Sequence, residues 1–192
     1  MAEYYEPDAE GKKNLLDVRE ALILAGLAEL EEHGPVGFSL RRVAMACGVS
    51  CAAPYKHFRD KDAFFDAIVS YIDEKWMLLE AHILEVFLDE RECLLELCLA
   101  SVRFWIGNPH FRAVRMMQRE GRERTSVGNA AETLLRRLAE KAGAQKDTAR
   151  ILYTVRSLVV GATLMLEDGT LENTPKTFSM LREALKKEID FE

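Results

Sequence analysis

The 192-residue sequence has no apolar run approaching the roughly 20 residues that a membrane-spanning helix needs. The longest candidate, Leu158–Leu166, is interrupted by Gly161 and Thr163. The first ten residues, Met1–Glu10, are acidic and aromatic, which is not the pattern of a secretory leader. Cysteine is scarce. Four in a chain of this length do not make a disulfide scaffold, and a reduced, cytoplasmic compartment is the expectation. The four histidines, His33, His57, His82 and His110, lack metal-ligand spacing. Cys93 and Cys98 are five apart, which turns them about 140° from each other on a helix and makes them a poor metal pair. A Gly-rich phosphate loop, a nucleophile elbow and a kinase motif are all missing. No metal, no cofactor and no enzymatic chemistry is therefore expected.

What is present is a foldable, mostly helical composition. Hydrophobic residues make up 48% and charged residues 30%, with a mean hydropathy of −0.12. These values exclude a disordered or collagen-like chain, and the length allows a core of useful size. The net charge is −6, which argues against a nucleic-acid binder if charge is averaged over the chain. Its distribution is uneven. Residues 39–61 hold Arg41, Arg42, Lys56, Arg59 and Lys61 against Asp60 alone. Such a segment on an acidic protein is either an electrostatic footprint for phosphates or a solvated helix face.

Residues 1–13 read as a frayed tail, and Asn14 as the cap of a first helix. Leu15, Val18, Leu22, Ala25 and Leu30 recur at helical spacing, with Ile23 and Leu27 beside them, until Gly34-Pro35 stops the helix. Ser39 caps a short second helix, Leu40 to Cys47, with Leu40, Val43, Ala44 and Cys47 inward. Gly48-Val49 makes a tight turn. Ser50 starts a third short helix ending near Phe58, and Asp60 caps a long fourth through Phe64, Phe65, Ile68, Ile72, Trp76 and Leu79. Strand signals are nearly absent. Further helices are expected at Glu90–Ile106, Pro109–Glu120, Ser126–Ala142, Asp147–Glu167 and Pro175–Ile189, punctuated by glycines. The expected fold is all-α, with about nine helices. Its divisions are a tail at 1–13, a three-helix head at 14–61 and a larger helical body at 62–192.

Two short helices separated by a glycine turn form a helix-turn-helix pattern, in which the second helix enters the DNA major groove. Gly48 supplies the positive φ that the turn needs. Ser39 and Ser50, each read at a helix N-terminus, suit phosphate oxygens. Tyr55 and Lys56 add a hydroxyl and a cation. A random helical hairpin satisfies so generic a pattern equally well.

The full string from Ser39 to Lys61 is more specific. Ser39, Val43-Ala44, Ala46, Gly48-Val49-Ser50, Tyr55, His57-Phe58 and Lys61 together closely resemble the signature of the TetR family of bacterial transcriptional regulators. The resemblance covers residues 14–75 in detail, and elsewhere only length and helical content. It implies that Ser39, Arg41, Ser50, Tyr55, Lys56 and Lys61 lie on DNA-contacting positions, with Arg42 a further backbone candidate. His57 divides between phosphate contact and packing, and Phe58 reads as core. The chain departs from the family at Cys47, usually Ala, and at Pro54, where Leu is common. Cys51 and Ala52 join the DNA-facing set, but Cys51-Ala52-Ala53 offers base edges little hydrogen bonding. Discrimination would then lean on Lys56, on thymine methyls and on DNA shape. Cys47 and Cys51 flank the turn and read as packing residues rather than a thiol switch.

The same resemblance implies a body that binds a small molecule and dimerises. Ile151–Leu166 is apolar on nearly every face, which reads as a helix buried on both sides. Leu158, Gly161, Ala162 and Met165, with Phe178, Leu181 and Leu185 of the last helix, are the candidate dimer interface. Burial inside a monomer is the alternative. Phe104, Trp105, Met116, Met117 and Tyr153 are the candidate pocket lining, and Arg103 and Arg156 could meet an anionic group. Arg112, Arg115, Arg119 and Arg122 share one helix face, which reads as a solvated or salt-bridged face before it reads as an acid-binding site. The expectation is a homodimeric regulator, most simply a repressor, released from a palindromic DNA operator by an unknown small-molecule effector. The competing expectation is a ligand-binding or protein-interaction module with a vestigial head.

Overall fold

The structure is a computed structural model that describes residues 15–115, 126–143 and 147–190. Every regular element among these residues is helical. They are α1 (Leu15–Gly37), α2 (Leu40–Ala46), α3 (Pro54–His57), α4 (Lys61–Val86), α5 (Glu90–Gly107), α6 (Arg112–Arg115), α7 (Asn129–Lys141), α8 (Thr148–Glu167) and α9 (Pro175–Ile189). The all-α expectation holds, and most expected ends fall within a few residues of those observed. Between Pro109 and Glu120 the expected single helix begins instead as a 3-10 turn, Pro109–Phe111, before α6. Residues 1–14, with the expected tail and the Asn14 cap, lie outside the described residues, as do Met116, Met117, Arg119 and Arg122.

The chain forms two compact units. The first comprises residues up to 71 together with 113–115, and the second comprises the rest. The first unit runs beyond the expected boundary at Lys61, because the start of α4 is part of its core. Phe64 is fully buried and meets Phe58 edge-on at 4.6 Å and Phe38 at 5.5 Å. Leu22, Ile23, Leu27 and Leu30 of α1 and Leu40, Val43 and Ala44 of α2 complete this core. Gly26 lies against Phe64 so closely that any Cβ there would overlap the ring. Gly34, at φ 65°, breaks the helical path of α1 just before Pro35, as the sequence predicts.

In the second unit α5 is the central helix, packed by α7, α8 and α9. Eleven of its residues are buried, among them Leu94, Leu97, Val102, Phe104 and Trp105. Asp89 caps it, accepting from the N–H groups of Arg91 and Glu92. Cys93 and Cys98 are both core residues, and burial pushes the Cys98 thiol up to about 12. Trp76 meets Phe104 edge-on at 5.4 Å and donates its indole N–H to Glu80 at 2.6 Å. Asp73 accepts from both the N–H and the hydroxyl of Ser126, which fixes the approach to α7.

The apolar α8 departs from expectation. Only Ile151, Val155 and Thr163 are buried, while Tyr153, Val160, Leu164 and Met165 are exposed. The helix is not enclosed within the chain. Its 20 residues include a window of mean hydropathy 1.4, so by length and composition it reaches the spanning criterion that the interrupted run was expected to miss. One such helix is weak evidence for a membrane, since core and interface helices meet the same criterion.

Candidate nucleic-acid interface

The local chain chemistry builds the turn residue by residue. The Ser39 hydroxyl accepts the N–H of Arg42 at 3.4 Å and caps α2, as expected. At the other end, the Gly48 N–H bonds the Met45 carbonyl and the Val49 N–H bonds the Ala44 carbonyl, each at 3.0 Å. This pair of bonds, with Gly48 at φ 62°, is a Schellman C-cap. It reverses the chain while pairing the carbonyls of Ala44 and Met45.

The third helix is shorter than the sequence predicts. Ser50 does not start it, and the phosphate site expected at a Ser50 N-cap is not formed by a helix terminus. Pro54 is the cause. It has no N–H with which to close a helical bond to the Ser50 carbonyl. That carbonyl instead accepts the Ala53 N–H at 2.9 Å in a turn, and α3 begins at Pro54. Residues 50–53 therefore form an exposed approach to a single helical turn, with Pro54 and Phe58 inward and Tyr55 and Lys56 outward. His57 is half-buried, with its ring 6.2 Å from that of Phe58.

The five cations of the basic segment are not equivalent. The Arg42 guanidinium donates to the Glu29 carboxylate, from Nε at 2.9 and 3.1 Å and also from Nη2, and to the Gly37 carbonyl. Lys61 donates to the Pro35 carbonyl at 2.8 Å and the Phe38 carbonyl at 3.4 Å, and lies 5.4 Å from the ring centres of Phe38 and Phe65. Both side chains are therefore engaged within the head, Arg42 while still 46% exposed. Arg59 pairs with Asp60 at 2.8 Å on the surface. Arg41 and Lys56 are exposed, and no ion pair or hydrogen bond among the described residues holds either side chain.

Glu29 is the residue that the sequence pattern leaves unnoticed. Its carboxylate is 8% exposed, and besides Arg42 it accepts the Ser39 N–H at 3.0 Å and faces His33 Nδ1 at 3.4 Å. Burial by itself raises its pKa. The hydrogen bonds from Arg42 and Ser39 and the charges of Arg42 and His33 outweigh that and hold it below its usual value. The available signal is its place seven residues after Leu22, on the buried stripe of α1, where a carboxylate needs partners.

In the body, the structure brings together only part of each expected set. Phe104 and Trp105 are buried in one aromatic cluster with Trp76 and Phe111. Arg103 is half-exposed, stacked 4.6 Å from the Phe178 ring centre and 3.8 Å from Glu96. Tyr153 is 74% exposed and Arg156 points outward toward Glu132, so neither lines an interior pocket of this protomer. Leu181 and Leu185 are 6% and 1% exposed, because the apolar stripe of α9 packs on the core of its own chain. Leu158, Gly161, Ala162 and Phe178 are half-buried, and Met165 is exposed.

A helix-turn-helix head on a separate all-helical body defines the class of protein. Comparison with protein families makes this specific: residues 22–68 match "Bacterial regulatory proteins, tetR family". Residues 22–68 are thus similar to the N-terminal domain of that family, and a helical C-terminal part follows them. No curated protein matches the chain. Among solved structures, a Rhodococcus sp. RHA1 protein of unknown function aligns with a TM-score of 0.66 and 23% identity, over 94% of this chain and 98% of its own. A Clostridium perfringens protein described as a fatty acid metabolism regulator aligns at 0.63 and 18%, over 88% and 96%. A substituted TetR from Acinetobacter baumannii AYE, in complex with minocycline, aligns at 0.55 and 23%, over 88% and 92%. At these identities the likeness is one of fold.

Proposed function

We propose that the chain is a homodimeric DNA-binding transcriptional regulator, a repressor that leaves a palindromic operator when a small molecule binds its body. One observation carries the reading. Within residues 39–61, where Arg42, Arg59 and Lys61 each have a partner within the protein, Arg41 and Lys56 are exposed on the two helices of the turn, without a partner among the described residues. Phosphates supply what such cations lack. A vestigial head would have no need of them, which disfavours the module reading.

Dimerisation is supported by α8. Tyr153, Val160, Gly161 and Leu164 fall on one side of the helix at 3.6-residue periodicity, and Tyr153, Val160 and Leu164 are exposed. An apolar helix face of this kind is covered in a stable protein, and in a two-fold dimer the same face covers itself. The dimer would present two α3 helices about one DNA turn, roughly 34 Å, apart. An effector in the body would act by favouring a dimer geometry that no longer fits that spacing. The minocycline of the Acinetobacter structure is a precedent for ligand binding on this fold, not an assignment of the effector here. Selection of bound sequences from a random DNA pool tests the reading. Enrichment of a palindrome is the expected result, and enrichment of nothing would contradict it.

A further inference from the structure

The chemistry exposed around the turn restricts which bases it can read. From Ser39 to Phe58 the chain contains no Asn, Gln, Asp or Glu. The amide groups that pair with adenine and the carboxylates that accept from cytosine are therefore missing from both helices of the motif. The Arg42 guanidinium is held by Glu29 and the Gly37 carbonyl. The uncharged side chains that face outward are mostly apolar: Met45, 64% exposed, Ala46, Cys51 and Ala52, with only the Ser50 hydroxyl and the Tyr55 phenol beside them. Met45 lies one helical turn beyond Arg41 on the same side of α2. Cys51 and Ala52 stand outside α3 because Pro54 delays its start.

Apolar atoms have one partner in the major groove, the C5-methyl of thymine. Resting on the DNA-binding reading above, we infer that the operator half-site is specified mainly by thymine methyls packed against Met45, Cys51 and Ala52. Arg41 and Lys56 contribute phosphate contact. The occupant is thus a half-site with thymines at the steps facing the turn. Substitution of those thymines by deoxyuridine removes the methyl and leaves every hydrogen-bonding group of the base in place.

The test uses the full-length protein and the duplex recovered by selection, with each thymine of the half-site replaced in turn by deoxyuridine and affinity read by fluorescence anisotropy at fixed salt. Burying one methyl corresponds to about a fourfold change in affinity, so at least one position per half-site is expected to weaken by about that factor. Met45→Ala or Cys51→Ser, both at exposed positions, should make the protein indifferent to the methyl at one of those positions. Sequence-specific binding that is unchanged by deoxyuridine everywhere, or a selected core without thymine, would overturn this inference and leave the regulator reading intact. Failure to bind any duplex would overturn both.

Discussion

Glu29 links the sequence of α1 to the position of α2. Its carboxylate holds the Ser39 N–H at the start of α2 and the Arg42 guanidinium one turn on. Glu29→Gln is expected to lower the thermal midpoint by several degrees, because it leaves Arg42 without its counter-charge and Ser39 with a weaker acceptor. The linkage has a definite sign. Glu29 titrates below its usual value of 4.5 in the folded protein, so its contribution is present at neutral pH and is lost as pH falls through the depressed value. Denaturant melts of wild type and Glu29→Gln from pH 7 to pH 3 should converge toward the acid end. Parallel curves across that range would contradict the assignment. The two lysines separate in the same way. Lys61→Ala should lower stability, since its ammonium ties the Pro35 and Phe38 carbonyls. Lys56→Ala should leave the melt unchanged and reduce the salt slope of DNA binding by about 0.9 for each phosphate that is no longer neutralised. In the sequence the two are equivalent cations. What divides them is long-range: α4 delivers Lys61 to the α1–α2 loop, and no local pattern encodes that.

At the scale of elements, the periodic helices are the legible part. Ser39, Gly48 and Asp60 act where the sequence places them: the Asp60 carboxylate accepts the Ala63 N–H at 2.8 Å to cap α4. The sequence makes α3 look longer than it is, because the motif pattern runs on through Pro54 while the missing N–H prevents a helical turn before it. Helix faces are less legible than helix ends. The Leu181–Leu185–Ile189 stripe of α9 announces an apolar face but not its partner, and the partner proves to be the protomer core. On α8 the reverse holds, since apolar residues all round mask which side is left uncovered. The two helices should therefore respond differently to substitution. Leu185→Ala opens a core cavity and is expected to cost about 2–5 kcal/mol of stability. Leu164→Glu, on the outward face of α8, should leave the protomer folded and shift sedimentation or light scattering from dimer toward monomer. A Leu164→Glu protein of unchanged mass in solution would remove α8 from the interface.

Over the whole molecule, charge is spread unevenly along the chain. The net charge of −6 belongs to the whole chain, whereas residues 39–61 carry five cations and one carboxylate. Of those cations, Arg41 and Lys56 are the ones exposed without a partner among the described residues, a small number for tight DNA binding by one copy of the chain. Two heads acting on one duplex double the phosphate contacts and add the specificity of a repeated half-site. The proposed function therefore requires DNA binding that is both sequence-specific and dimeric. The most direct measurement is fluorescence anisotropy of the full-length protein across a salt series, on the selected palindrome, on a single half-site and on a scrambled duplex. The palindrome is expected to bind far more tightly than either control, with affinity falling steeply as salt rises. Equal, weak binding to all three duplexes would contradict the proposed function.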